Sequence, residues 1–318
     1  MTTKKILVAM SGGVDSSVAA ALLKEQGYDL VGVTMNLACV TSSRAGGCCD
    51  AAAAADAGRI SKILGMPHYV INLKANFMVK VIDNFIEEYK QGRTPNPCIR
   101  CNQLIKFGEL LTKADELGAE FVTTGHYARI ESGKQEYYLK KGKDTKKDQS
   151  YVLYRLGQKE LPRILFPLGE MTKQEVRRKA KELGLPVAEK PESQEICFVE
   201  DNDYGRYLKD QCPEAVKPGK IIERSGKVVG EHQGIAFYTI GQRKGIGAHR
   251  GEPKYVIELR PETNEVVIGN DADLLKNELI ADQLSFVSGQ PPTGPLAVTA
   301  KIRYNSNEAE AIVDGTQV

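Results

Sequence analysis

The chain has 318 residues, 42% of them hydrophobic and 26% charged, with a formal net charge of +2. This is an ordinary globular profile that excludes a disordered chain, and it excludes binding to nucleic acid through bulk positive charge; such a partner would need a local basic face. Length allows two or three domains. The N-terminal MTTKKILVAM carries too short an apolar run for secretion or for spanning a membrane. Seven cysteines then point to a reducing cytoplasm, where thiols serve catalysis or metals more often than disulfides.

In chain order, KILVAM (5–10) reads as a buried strand and SSVAAALLKEQG (16–27) as a helix closed by a glycine. DLVGVTMNL (29–37) is the next strand. DAAAAADAGRISKILG (50–65) is a second helix, with Asp50 as N-cap and Gly65 as its stop. HYVINL (68–73) predicts a strand, VKVIDNFIEEYKQG (79–92) and FGELLTKADELG (107–118) predict helices, and EFVTTGHYARI (120–130) predicts a further strand. Such alternation with short links indicates a parallel sheet covered on both faces. A lysine-rich loop, KKGKDTKKDQS (140–150), precedes the amphipathic helix TKQEVRRKAKELG (172–184). Beyond about residue 205 the texture changes to glycines, turn residues and short β-rich runs. KYVIELR (254–260), EVVIGN (265–270) and LAVTAKIRYN (296–305) are strands of one or two smaller β-rich domains.

SGGVDSS (11–17) lies between the first strand and the first helix. In that place backbone N–H groups and a helix N-terminus can cradle phosphate, and Gly12 and Gly13 let the backbone approach an anion. Ser11, Ser16 and Ser17 add hydroxyls, and Asp15 is positioned to hold Mg2+. The loop lacks both GK[ST] and GxGxxG, which disfavours a P-loop kinase and a dinucleotide site. From spacing alone, a glycine turn with a serine cap remains open. The stretch closely resembles the fingerprint of the PP-loop ATP pyrophosphatases, which cleave ATP between the α and β phosphates.

Further segments follow in order: TPNPCIRCNQLIKF (94–107), TGHYAR (124–129), KDQSYVLYRL (147–156), SQEICF (193–198) and TIGQRKGIG (239–247). Together they resemble the tRNA-specific 2-thiouridylases, the MnmA/TrmU family, over essentially the whole chain. The resemblance implies an α/β fold: a parallel-sheet PP-loop domain (adenine nucleotide alpha hydrolase-like, Rossmann-like) over 1–205, a small β-rich central domain over 206–275, and a C-terminal β-barrel domain over 276–318, expected to be truncated because the chain stops at DGTQV. It further implies ATP-dependent replacement of O2 of the wobble uridine of tRNA by sulfur. In that chemistry Cys101 is the nucleophile and Cys197 the persulfide carrier, the two being able to form a disulfide. ATP would meet Ala9, Met10, Ser11, Gly12, Gly13, Val14, Asp15 and Ser16, with Met35 and Gly125. The target base would meet Asn96, Pro97 and Cys98. Contact with the anticodon region of tRNA would come from His126, Lys147, Asp148, Gln149, Arg303 and Tyr304. A sulfur donor, either a cysteine desulfurase relay or sulfide, is a further implied partner.

The family pattern commonly has aspartate where this chain has Cys98. Three thiols, Cys98, Cys101 and Cys197, suit a [4Fe–4S] cluster with an open iron position, or zinc with a water ligand. A Cys98 that changes nothing is the third reading, and all three stay open. Cys48 and Cys49 receive no role, and Cys39 and Cys212 read as structural. Two other classes compete at the level of function. A PP-loop amide synthetase would consume ATP to AMP without tRNA, and a non-catalytic iron–sulfur or zinc protein would keep only a dead nucleotide loop.

Overall fold

A computed structural model describes residues 3–37, 51–134, 136–192, 196–199, 203–213, 216–246 and 253–314. Its elements in chain order are β1 (Lys5–Ala9), α1 (Val14–Glu25), β2 (Asp29–Asn36), α2 (Ala51–Ile63), β3 (His68–Asn72), α3 (Lys74–Phe77), α4 (Asp83–Lys90), α5 (Pro97–Arg100), α6 (Leu110–Glu116), β4 (Phe121–Thr123), β5 (Ala128–Ser132), β6 (Tyr137–Lys141), β7 (Ile164–Leu165), α7 (Lys173–Glu182), α8 (Tyr204–Gln211), β8 (Gly219–Glu223), β9 (Val228–His232), β10 (Tyr255–Arg260), β11 (Glu265–Gly269), β12 (Leu296–Ala300) and β13 (Ala309–Val313). Two π-helical turns, Met78–Ile82 and Cys101–Glu109, join α3 to α4 and α5 to α6. The chain divides into two compact units: 1–74, 98–194 and 281–318 form the first, 75–97 and 195–280 the second.

The first unit is built on a five-stranded sheet in the order β3-β2-β1-β4-β7, parallel at every pairing. Strand periodicity divides β1 between two cores. Ile6 and Val8 pack with Val18, Ala57, Ile60 and Val176 of α1, α2 and α7, whereas Leu7 and Ala9 pack with Leu110 and Ala114 of α6 on the other face. Fully burying an aliphatic side chain of this kind contributes roughly 1.5–3 kcal/mol, so the apolar run of β1 makes it the centre of the sheet. From β1 the chain winds outward through β2 and β3, then returns to place β4 on the other side of β1. That reversal is a topological switch point, and ligands of open α/β sheets bind in the crevice at the carboxyl ends of the strands there.

Three elements differ from the sequence expectation. The strand expected over 120–130 is two strands, because the chain leaves the sheet after Thr123 at the switch point and then forms β5, which pairs with β6 in a separate two-stranded hairpin. The helix expected from 107 begins at Pro97, where proline's fixed φ suits the first helical position. The strand expected over 296–305 ends at Ala300: Ser306 Oγ accepts from the Arg303 amide at 3.1 Å and donates to its carbonyl at 2.9 Å, closing a turn around Tyr304. The N-cap expected at Asp50 lies outside the described residues, as do Cys39, Cys48 and Cys49.

The second unit carries a four-stranded sheet, β10-β11-β8-β9, closed over Ile221, Val256, Val266, Ile268 and Tyr238. A separate aromatic cluster joins its helices. Phe85 lies 4.9 Å from Tyr89 and 5.1 Å from Phe198, and Phe198 lies 5.8 Å from Phe77, all edge to face. Among the described residues no helix is long and apolar enough to cross a membrane.

Candidate active site

The phosphate loop leaves β1 at the switch point. Gly12 takes a φ of +69°, and a Cβ there would lie 2.3 Å from the Ala53 carbonyl oxygen of α2, so both its conformation and its neighbour require glycine. Gly13 is the N-cap of α1 and offers no capping side chain, which leaves the first amides of the helix facing the loop. The serines brace the loop. Ser16 Oγ accepts from the Ser11 amide at 3.2 Å, and Ser17 Oγ donates to the Gly13 carbonyl at 2.8 Å. Gly125, in the link after β4, lies so close that a Cβ would stand 2.6 Å from the Ser16 nitrogen. The structure therefore gathers Ala9 to Ser16 and Gly125 at one place. Met35 is at the end of β2, half-buried against the same core as Ala9.

Residues that the sequence did not single out complete this place. Lys173, the first residue of α7, is only 8% exposed and donates to both oxygens of Asp15, at 2.8 and 2.7 Å. The Tyr127 hydroxyl donates to Asp15 Oδ1 at 2.7 Å. Burial and the adjacent Asp15 carboxylate push the Tyr127 phenol up, so it remains a donor. Glu192 receives Lys147 at 2.7 Å and Lys173 at 3.3 Å. Burial opposes its ionisation, but those lysines outweigh it and hold the carboxyl below its usual range. Lys190 donates to the Gly12 carbonyl at 3.0 Å and to Asp56 at 2.7 Å, and that hydrogen bond lowers the Asp56 carboxyl. The carbonyl and the next amide of a trans peptide point opposite ways. By holding the Gly12 oxygen, Lys190 therefore turns the Gly13 N–H to the other side of the loop. The start of α7 was legible as a helix beginning at Thr172, but nothing local marked Lys173 as part of the loop.

Mg2+ was expected at Asp15. In the structure this carboxylate receives Lys173 on both oxygens and Tyr127 on one.

His126 follows Gly125 and is buried between Phe107 and Phe166, ring centroids 6.0 and 5.9 Å away, with Nδ1 2.6 Å from Thr124 Oγ1. Burial first, and then the charge of Lys106, keep this imidazole neutral well below its ordinary range. Phe107 belongs to the π-helical turn that opens with Cys101, so the helix carrying that thiol packs against the neighbour of Gly125. π-Helical turns are frequent at functional sites. Cys101 is buried and Cys98, one turn earlier, is exposed. Next to Cys101, the buried Asn102 donates to the Val152 carbonyl at 3.1 Å while its Oδ1 has no partner.

Asn96 is half-buried and Pro97 buried. Cys197 is half-buried beside Phe198 and belongs to the second unit, whereas Cys98 and Cys101 belong to the first. Among the described residues no group of three or more His, Cys, Asp or Glu side chains is arranged to hold a metal ion.

The two stretches expected to contact RNA meet in the first unit. Gln149 clamps the Tyr127 backbone, donating its amide to the carbonyl and accepting from the amide, each at 2.9 Å. Asp148 closes its own turn by accepting from Gly142 N and Ser150 Oγ, each at 2.8 Å. The Tyr304 hydroxyl donates to the Asp148 carbonyl at 3.3 Å, and its ring stands 6.0 Å from that of Tyr151, with Lys301 over the ring at 5.5 Å. Lys147, Asp148 and Gln149 are thus neighbours of Arg303 and Tyr304, and the lysine run continues into a built turn.

A family model described as the tRNA methyl transferase HUP domain matches residues 4–201, and one described as the tRNA methyl transferase PRC-barrel domain matches 205–270. The tRNA-specific 2-thiouridylase MnmA of Clostridium perfringens is 49% identical over 316 residues, covering 98% of this chain and 88% of that protein. MnmA 1 of Clostridium botulinum (strain Loch Maree) is 50% identical over 313 residues, with coverage of 98% and 88%. Among solved structures, the U34-tRNA thiolase NcsA from Methanococcus maripaludis with its [4Fe-4S] cluster aligns at a TM-score of 0.39 and 20% identity, over 66% of this chain and 67% of that one. With close relatives spanning nearly its whole length and a phosphate loop at the switch point of its parallel sheet, the chain belongs to the tRNA-specific 2-thiouridylase family.

Proposed function

We propose that this chain catalyses ATP-dependent 2-thiolation of the wobble uridine, position 34, of tRNA. One observation carries the reading: the phosphate loop, Gly125 and the helix that opens with Cys101 are linked by direct packing at one end of one sheet. A nucleotide-activating loop and a nucleophilic thiol are the two parts this chemistry needs.

An amide-like carbonyl is a poor electrophile until its oxygen can leave. The C2 oxygen of the uridine attacks the α-phosphate of ATP, pyrophosphate departs, and C2 carries an adenylate. The terminal sulfur of a Cys197 persulfide then bonds to C2 as AMP leaves. The Cys101 thiolate attacks the Cys197 sulfur, the bond from that sulfur to the one on C2 breaks, and 2-thiouridine is released. A Cys101–Cys197 disulfide remains, to be reopened by a thiol reductant. A cysteine desulfurase relay supplies the sulfur already as a persulfide; where sulfide is the donor, it attacks the Cys197 sulfur of the Cys101–Cys197 disulfide, so that the S–S bond breaks, Cys101 leaves as thiolate and the Cys197 persulfide forms. Mg2+ arrives on the triphosphate as its counter-ion. Asn96, Pro97 and Cys98 receive the base, which must leave its stack to react. Lys147, Arg303 and Tyr304 hold the anticodon region, with phosphate contacts that position the RNA. A cytoplasmic location fits these substrates.

The test is nucleoside mass spectrometry of unmodified tRNA incubated with the protein, ATP and a persulfide donor. Formation of 2-thiouridine at position 34, abolished by Cys101→Ser and Cys197→Ser, supports the reading. ATP turnover that is indifferent to tRNA would favour an amide-forming synthetase instead. Iron, sulfide and zinc analysis of anaerobically purified protein, beside Cys98→Ala, decides the role of Cys98. About four irons per chain, lost in the variant together with activity, assign a cluster; metal-free protein with an active variant makes Cys98 a bystander.

A further inference from the structure

Lys173 poses a physical problem. Lysine is almost never this deeply buried unless it is paired, and burying an ion pair costs several kcal/mol per ion in desolvation. Asp15 does not need so expensive a partner, since an acidic residue in the first turn of α1 is already favoured by the helix dipole. Yet the fold fixes Lys173 in place with some care. Thr172 and Glu175 form a capping box that starts α7 at this residue, and the Lys173 amide donates to Asp144 at 2.9 Å. The ammonium meets Asp15 at 2.7 and 2.8 Å, Glu192 at 3.3 Å and the face of Tyr127 at 5.7 Å. It therefore sits one residue from Ser16, whose backbone nitrogen lines the anion-binding end of α1.

We propose that Lys173 is a ligand of the ATP phosphates, parked on Asp15 and Glu192 until the nucleotide arrives. The inference rests on the reading of the phosphate loop as an ATP site and adds a residue to it. An ammonium is a compact point charge on a flexible stem with three donors. It can rotate from Asp15 toward a phosphate oxygen while Tyr127 keeps its bond to the carboxylate. Parking also explains why the acidic side chain does not repel the triphosphate: before binding, Lys173 cancels its charge. After binding, the same lysine serves both anions.

The experiment measures ATP and adenosine binding by calorimetry to the full chain without tRNA, for the native protein, Lys173→Met, Lys173→Arg and the double variant Lys173→Met/Asp15→Asn. Lys173→Met should weaken ATP binding about tenfold to a hundredfold while adenosine affinity changes less than about threefold. Lys173→Arg should recover part of the loss. A lysine that merely neutralises Asp15 makes a different prediction, because removing the carboxylate as well would then restore ATP binding. The double variant should stay weak. Recovery in the double variant, or Lys173→Met binding ATP as the native chain does, overturns the inference and leaves the loop's ATP role intact. A native chain that binds no ATP overturns the loop reading and this inference with it. Circular dichroism of each variant shows whether the chain has folded, and Lys173→Arg keeps the test decisive if the methionine variant does not fold.

Discussion

His126 shows how a residue's surroundings fix its protonation. Its burial beside Phe107 and Phe166 keeps the imidazole neutral, so at neutral pH it can accept or donate one hydrogen bond but cannot act as a cation toward RNA phosphate. The ordinary imidazole value is 6.5, and the folded value lies well below it. Above 6.5 both folded and unfolded states are neutral there. As pH falls below 6.5 the unfolded chain takes up a proton that the folded chain refuses, so stability declines by about 1.4 kcal/mol per pH unit until the folded value is reached. His68 and His232 are shifted the same way by burial, so the contribution of His126 must be read by difference. Denaturant melts of native protein and His126→Gln between pH 7 and pH 5 should show a shallower loss in the variant. Parallel curves would mean that His126 is not held neutral by the fold. Lys190 acts on a single peptide group: Lys190→Met releases the Gly12 carbonyl and should raise the KM for ATP, with little change in binding of free adenosine.

At the scale of elements, the loop depends on α2 as much as on its own sequence. Gly12→Ala must move the Ala53 carbonyl and place alanine at a positive φ, at a cost of about 1–3 kcal/mol, and should abolish ATP binding even where thermal melts show a folded protein. Retained ATP binding in that variant would mean the loop is not the nucleotide cradle. Thr172→Ala removes the α7 cap that seats Lys173; about 1 kcal/mol of stability should go with it, and ATP affinity should fall in the same direction as in Lys173→Met. Much of this framework was legible beforehand. An unbroken apolar run such as that of β1 fits only the centre of a covered sheet, and SGGVDSS has few uses after such a strand. The break in EFVTTGHYARI was not legible, because what ends β4 is the approach of Gly125 to α1, a tertiary contact. Lys173 was hidden for a similar reason. In KQEVRRKAKELG it is one more cation on a polar helix, and its partner Asp15 lies 158 positions away. Charge patterns in sequence report solvated faces well and single buried pairs poorly.

At the scale of the molecule, the chain forms two units, each with a core of its own. Phe85→Ala removes the middle of the aromatic cluster in the second unit and should destabilise that unit by about 3–5 kcal/mol. Hydrogen exchange should then show amides of 75–97 and 195–280 losing protection while β1 and β2 keep theirs. Equal loss throughout would mean that the whole chain unfolds as one cooperative body. The proposed sulfur transfer leaves a covalent trace, so peptide mass spectrometry after a single turnover without reductant should find Cys101 and Cys197 joined.

The most direct measurement of the whole account follows one atom. Transfer RNA carrying oxygen-18 at C2 of the wobble uridine is incubated with the protein, ATP and a persulfide donor, and the released nucleotide is analysed by mass spectrometry. If the C2 oxygen attacks the α-phosphate, AMP appears in step with 2-thiouridine and carries the label. Unlabelled AMP, or ADP with phosphate in its place, would contradict activation of the base through its own oxygen.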